Sequence, residues 1–553
     1  MRGGFVACIG IGETPGAVER AAEMLRWHRG RPERFHGDRI ELALYVDAAD
    51  GPSVETAGGS TRLVHGAALA PLADLQRTAG RFAAIEWDGT RLRASRDPLG
   101  LAPLFYRVLP DAVWLATEVT PLLKLGGTHA DTEALSARAA FAPMDERTGW
   151  QGILRILPGC TFEFRPPDWR AHIVRYWHPE RLLGSFRGSY PEALDEFRSR
   201  FTLAVRRCVA PRSAILLSGG LDSAAVAVTT RAQAGVTPHL VHVHFPGLPA
   251  THEQRYASAV AAAVGAPLCT LAGQTTPWDI GAELDLHGIP YNWLPFGMDE
   301  PALTHIAGQG IAVALDGHDG DGVLGPPGGG VWGELVLKGE LRRLTEYSRR
   351  YGPRRALRGL AGDFLPPAMC ARRYRSDSNM ERVAQYFRDP LKSRIRRDDI
   401  YRWRWPSRRW RVRQLQPLLP RAVISFEQKE IEAARFGIDL RHPFADRDLV
   451  EFLVALPCAL KSDPGRLKPV LLDAIGGDLP PQLHTRVKSD YMASVRHRVD
   501  SAHCIEVIRA SKVRLPHVDY ERLLADGDVD ATRIPLFLLV NLARVHEFAR
   551  RSQ

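Results

Sequence analysis

Ala214-Ile215-Leu216-Leu217-Ser218-Gly219-Gly220-Leu221-Asp222-Ser223-Ala224-Ala225-Val226-Ala227 carries an apolar run into Ser-Gly-Gly and then into an Ala/Val-rich stretch. The run reads as a buried strand, and the Ala/Val stretch as a helix that begins at once. Paired glycines let the backbone turn tightly and present N–H groups to an anion, and the helix N-terminus adds a favourable partial charge. Ser218 and Ser223 add hydroxyl donors, and Asp222 is placed to hold a metal ion on a bound polyphosphate. No Gly-Lys-Ser/Thr follows, so this is not the Walker pattern. The plain alternative is an ordinary glycine-rich strand-to-helix turn.

Outward from this loop the pattern alternates. Upstream, Ser189 is a helix cap with Pro191 in the first turn. Leu194, Phe197, Phe201, Val205 and Cys208 then keep helical spacing and predict one buried face. Downstream, Leu240–Phe245 reads as a second strand, and the stretch from His252 to Val264-Gly265 as its helix. This β-α-β-α series predicts an open parallel sheet with ligands at the carboxyl ends of its strands. A third strand, Ile311–Leu315, runs into Asp316-Gly317-His318-Asp319-Gly320-Asp321-Gly322. Two strand ends thus carry Gly/Asp loops, which suits a magnesium ion bridging phosphates, because Mg²⁺ takes one or two carboxylates plus phosphate oxygens. Asp222 and Asp321 are the expected metal-facing pair. Asp316 and Asp319 are expected to cap turns.

A chain of 553 residues exceeds one core, so at least two domains are expected. Before residue 180, Arg39–Tyr45 and Phe82–Trp87 alternate as strands, and Asp88-Gly89 marks a hairpin returning through Thr90–Ser95. A Gly/Ser-containing linker lies near residues 181–190. The seven cysteines are scattered, without a CxxC pair, which suits reduced thiols and a cytoplasmic protein. No apolar run is long enough for a membrane span, and no signal peptide is expected. The net charge is +10, with arginine concentrated between about residues 338 and 421 and interleaved with tryptophan over 394–413. That composition allows a solvated face over buried tryptophans, a dock for an acidic partner, or nucleic acid binding.

The Ser-Gly-Gly-x-Asp-Ser loop is similar to the pyrophosphate-binding loop of enzymes that split ATP between its α and β phosphates. With the second loop, and with Gly437-Ile438-Asp439-Leu440-Arg441-His442-Pro443-Phe444-Ala445-Asp446, the chain resembles the asparagine synthetase superfamily over nearly its whole length. The resemblance implies an α/β protein in two parts. Residues 1–180 would be an Ntn/glutaminase-like αββα domain, and residues 190–553 an adenine nucleotide alpha hydrolase-like (PP-loop) parallel sheet with a helical extension. The family's glutaminase uses an N-terminal cysteine. Here Arg2 is the second residue and Cys8 lies inside an apolar run, so a scaffold without glutaminase activity is expected.

The resemblance also implies an ATP- and Mg²⁺-dependent, AMP-forming ligase. Leu217, Ser218, Gly219, Gly220, Asp222, Ser223, Gly317 and Lys488 would bind ATP and pyrophosphate, and Asp222 and Asp321 would hold the metal. His318 replaces the glutamate of the family's Ser-Gly-Glu-Gly-Ala-Asp-Glu loop and is a candidate general base, its ordinary pKa lying near neutrality. Arg441 and Asp446 are expected to be structural. Lys488, in a segment resembling the family's closing loop, would neutralise charge on the adenylated intermediate and the leaving pyrophosphate. Lys488-Ser489-Asp490-Tyr491 and the Gly-His-x-Gly-Asp loop look like those of lasso peptide cyclases. That subgroup implies a leader-cleaved precursor peptide as substrate, with a precursor-recognition protein and a leader peptidase as partners. Asparagine or β-lactam formation is the alternative, and a non-catalytic nucleic-acid-binding scaffold a distant one.

Overall fold

The computed structural model describes residues 4–10, 17–25, 32–45, 53–68, 78–139, 146–167, 169–246, 248, 253–274, 288–289, 298–324, 331–364, 384–392, 415, 418, 420–486, 499–511, 514–527, 539–540 and 545. The protein is a mixed α/β structure, with an antiparallel two-sheet part followed by a parallel sheet among helices.

The first part is built from β1 (Gly4–Gly10), β2 (Glu33–Gly37), β3 (Ile40–Tyr45), β4 (Ser53–Ala57), β5 (Ser60–Ala68), β6 (Gly80–Trp87) and β7 (Leu92–Arg96). β8 (Phe105–Val108), β9 (Ala112–Ala116), β10 (Arg147–Trp150), β11 (Ile153–Arg155), β12 (Cys160–Phe164) and β13 (His172–Arg175) complete it. They form a seven-stranded sheet, β10-β11-β8-β9-β1-β3-β2, and a six-stranded sheet, β13-β12-β7-β6-β5-β4. Strand periodicity sorts the layers. Phe5, Ala7 and Ile9 of β1 face the other sheet, joining Leu63, Ile85 and Phe162. Val6 and Cys8 face the helices α1 (Ala17–Ala22) and α2 (Thr132–Ala139) through Val18, Ala21 and Leu135. The Asp88-Gly89 hairpin forms as expected, with Asp88 Oδ1 accepting from the Thr90 and Arg91 amides. On the outer face of the six-stranded sheet, Phe82 and Ala84 pack with Phe197 and Phe201 of α3 (Tyr190–Cys208). Helices of the second part thus cover that face as a further layer.

Ser189 caps α3 in a capping box with Glu192. The buried stripe of α3 is Ala193, Phe197, Phe201, Ala204 and Val205, while Leu194 and Cys208 lie at its half-buried margin. The parallel sheet contains β14 (Ser213–Leu216), β15 (His239–His244), β16 (Leu268–Ala272), β17 (Val313–Leu315) and β18 (Asp439–Arg441), ordered β16-β15-β14-β17-β18. α4 (Leu221–Ala234), α5 (Gln254–Val264) and α6 (Glu300–Gly308) provide the crossovers. Two later helices bear on the site, α7 (Pro420–Ala434) and α8 (Arg447–Ala455). No described helix is long and apolar enough to cross a membrane.

Candidate active site

The chain adds β15 and β16 on one side of β14, then crosses to place β17 and β18 on the other. This reversal sets the loops that leave β14 and β17 side by side at the carboxyl end of the sheet, the switch point at which ligands of open α/β sheets bind. Leu217 continues β14, donating to the Val241 carbonyl at 2.8 Å. Ser218 and Ser223 then close the loop through their hydroxyls, 3.0 Å apart, and Ser218 Oγ accepts from the Gly220 amide at 3.2 Å. Gly219 has φ +83°, and a Cβ there would stand 2.7 Å from the Glu253 carbonyl. Gly220 is the N-cap of α4 and makes no side-chain cap, so the first amides of a fourteen-residue helix lack that partner.

The second loop rests directly on the start of α4. A Cβ at Gly317 would lie 2.5 Å from the Ser223 nitrogen, and one at Gly320 2.4 Å from Asp222 Cγ. Glycine is required here by close approach, because neither position has a left-handed backbone. Asp222 and Asp321 are thereby brought together around one cation, the ammonium of Lys468. Lys468 Nζ donates to both carboxylate oxygens of Asp222 and lies 2.7 Å from Asp321 Oδ1. Burial disfavours that charge, but the two carboxylates more than offset the penalty and raise the Lys468 pKa. Burial and the same two negative charges push Asp319 well above the carboxylate range.

Lys468 shows that the pair accommodates a cation. Among the described residues no group of three or more His, Cys, Asp or Glu side chains is placed to hold a metal. Two carboxylates, with the Asp321 side chain 59% exposed, suit a magnesium ion that keeps most of its shell on phosphate and water.

His318 belongs to the second loop and meets α7. Its Nε2 shares a 2.8 Å hydrogen bond with Ser425 Oγ of α7, and its ring stands edge-on to Phe426. Burial, then the Lys429 ammonium, push its pKa down to about 3. The near-neutral value of a free imidazole takes no account of these two causes. The residue is half-buried, and the downward shift favours the neutral ring at pH 7. Asp316 caps the turn at the His318 amide, as expected, and its Oδ1 also accepts from His442 Nδ1 at 2.7 Å. Lys429 lies 3.3 Å from Asp316 Oδ2 and 2.7 Å from Asp299 Oδ2. Burial alone would raise Asp316, yet His442 and Lys429 hold it far below the carboxylate range.

The structure therefore brings Leu217, Ser218, Gly219, Gly220, Asp222, Ser223, Gly317, His318 and Asp321 together on two adjoining loops at the carboxyl end of the sheet. Lys488, the Gly325–Gly330 stretch and segment 394–413 lie outside the described residues. Arg441 bonds Asp439 and the Cys208 carbonyl, and Asp446 caps α8 and pairs with Arg207. Sequence reasoning left Lys468, Ser425, Lys429 and His442 without a role. Only Lys429 carries a sequence signal, as a polar run within a helical segment, Glu427-Gln428-Lys429-Glu430. Another unforeseen contact is the buried bidentate pair of Arg486 with Glu253, at 2.6 and 2.8 Å, just before the segment that contains Lys488.

The sequence pattern of the asparagine synthase family matches residues 196–532. Amidase chyE of Penicillium rubens is 33% identical over 27% of this chain and 23% of its own length. Amidase chry2 of Gibberella zeae is 23% identical over 75% of the chain and 69% of its own length. The carboxyethyl-arginine beta-lactam-synthase of Streptomyces clavuligerus is 30% identical over 28% of the chain and 29% of its own length. The chain thus spans under a third of two of these relatives.

Proposed function

Because this chain belongs to the asparagine synthase family, we propose that it is an ATP-dependent, amide-forming ligase of the lasso peptide cyclase type. In this reading it adenylates an Asp or Glu side chain of a leader-cleaved precursor peptide. The peptide's N-terminal amine then closes a macrolactam, and AMP and pyrophosphate are released. The observation that carries the ATP half is the convergence of Asp222 and Asp321 on one cation position, at the switch point of the sheet and beside the amides of Gly219–Asp222.

The peptide carboxylate attacks the α-phosphorus and pyrophosphate leaves, its oxygens received by the Ser218 and Ser223 hydroxyls and by the first amides of α4. When bound, magnesium on Asp222 and Asp321 supplies charge neutralisation to the phosphate oxygens. By the resemblance, Lys488 would neutralise charge on the adenylated intermediate and the leaving pyrophosphate. The attacking α-amine, with a pKa near ~8, is about one-tenth neutral at pH 7. Neutral His318 accepts a hydrogen bond from the amine and orients it. As the C–N bond forms, the acyl–phosphate bond breaks, AMP leaves and the shed amine proton passes to solvent. Holding both ends of one peptide makes ring closure an intramolecular step. Support for this subtype comes from the likeness of Lys488-Ser489-Asp490-Tyr491 and the His318 loop to the cyclases. Similarity to a β-lactam synthase favours a β-lactam or asparagine product as the second reading. Partners, by the same subtype, are a precursor-recognition protein and a leader peptidase.

Incubation with ATP, Mg²⁺ and a leader-free precursor peptide encoded beside the gene tests the proposal, with Asp222→Ala as control. Loss of one water from the peptide, with AMP and pyrophosphate formed, is expected. An unchanged peptide, with AMP appearing only on addition of aspartate and ammonium, overturns it in favour of asparagine synthesis.

A further inference from the structure

The first part of the chain grips α7 with three arginines. Arg96 Nη1 lies 2.7 Å from Glu427 Oε1 and Arg155 Nη2 lies 3.2 Å from Oε2, with Arg96 and Glu427 wholly buried. Both arginines are fixed from their own side: Arg96 donates to the Gly100 and Ile156 carbonyls and Arg155 to the Arg147 carbonyl. One helical turn along α7, Arg81 spans Glu430 at 2.7 Å and Asp439 of β18 at 2.9 Å, tying helix to sheet. A second stripe of the same helix, Ser425 and Lys429 one turn apart, holds His318 and Asp316. From Ser425 to Ala434 every residue is buried, so α7 is the shared axis of the two parts.

A buried ion cluster contributes little net stability compared with apolar packing, and its best attested use is to set register. Apolar contacts tolerate rotation and sliding of a helix, whereas a carboxylate held between two guanidinium groups does not. We propose that the N-terminal part is a positioning element for the amide-forming half of the reaction. Its Arg96–Glu427–Arg155 cluster sets the height and rotation of α7, and so aims the His318 ring through Ser425. The first loop has holds of its own, its serines and its contact with Glu253, besides its contact with Gly317 and Gly320. Adenylation and amide formation therefore respond differently to the cluster. This inference rests on the proposed function, since it concerns the second half of that reaction.

The test uses the full chain carrying Glu427→Gln, and a triple variant, Arg96→Met/Arg155→Met/Glu427→Leu, which leaves no buried charge of the cluster unpaired. Peptide-dependent exchange of pyrophosphate into ATP reads adenylation, and single-turnover ring closure reads the amide step. Exchange is expected within about twofold of wild type while ring closure falls about tenfold or more, since small misplacements of reacting groups cost that much. The KM for ATP stays unchanged. Folding of either variant, checked by its melting transition, suffices. A parallel fall of both half-reactions in a folded variant, or no fall in ring closure, overturns the inference. A wild type that forms no amide bond sinks the functional reading itself, whereas a working wild type with unaffected variants sinks only the positioning role.

Discussion

Replacing Lys468 with methionine keeps the side-chain stem but removes the cation between Asp222 and Asp321. Its side chain is 7% exposed, that of Asp222 16% and that of Asp321 59%. Breaking a mostly buried ion pair costs about 3–5 kcal/mol because a charge is left without compensation. The Asp321 share is discounted to under ~1 kcal/mol, since that carboxylate is largely in solvent. A net loss of roughly 2–4 kcal/mol follows for the part that contains the parallel sheet. At a few degrees per kcal/mol, its melting transition falls on the order of 5–10 °C. A divalent cation that occupies the vacated position reverses this, gaining about 2.7 kcal/mol at one hundred times its Kd. The assay is thermal melting without nucleotide, in a MgCl₂ titration matched for ionic strength with NaCl. Lys468→Met is expected to melt early and to recover with Mg²⁺, while the wild type responds little because its own ammonium competes. A variant that melts with the wild type, or that ignores Mg²⁺, refutes the reasoning that the two aspartates form one cation position.

Two further outcomes follow from the same geometry. Gly317→Ala drives a Cβ against the Ser223 nitrogen and Asp222, costing about 1–3 kcal/mol and displacing the first loop. The KM for ATP in pyrophosphate exchange should rise, and an unchanged value would show that the loops need not touch. For pH, burial lowers the pKa of both His242 and His318, the latter to about 3. An unfolded imidazole titrates near ~6.5, so below that pH the unfolded chain binds more protons. Stability contributed by His318 is thus present above about pH 6.5 and lost as the pH falls toward 3. At pH 5 the loss reaches at most roughly 2 kcal/mol relative to pH 7. His318→Gln should melt with a shallower decline between pH 7 and 5, and an identical decline would mean that the ring is not held neutral.

The Ser218–Ser223 loop was legible because its residues are contiguous. A strand, two glycines, two serines and an aspartate act through local backbone geometry, so their spacing along the chain is their spacing in space. The capping box at Ser189 and the Asp88-Gly89 hairpin were legible for the same reason. His318 was marked by its position in a loop, whereas the groups around its ring come from distant parts of the chain. The charge that helps lower its pKa sits on Lys429, more than a hundred residues away.

What the sequence alone determined is therefore the alternation of strand and helix and the two Gly/Asp loops with the donors and carboxylates they carry. What only the tertiary structure decided is which groups meet across long separations. The strand order sets the two loops side by side, a choice the local pattern leaves open. Gly317 and Gly320 are needed because another loop presses on them, not because of their own backbone. Lys468 becomes the partner of Asp222 across 246 residues, and Glu427 that of Arg96 across 331. Burial and low local dielectric give those charges their energies, and neither exists until the chain has folded.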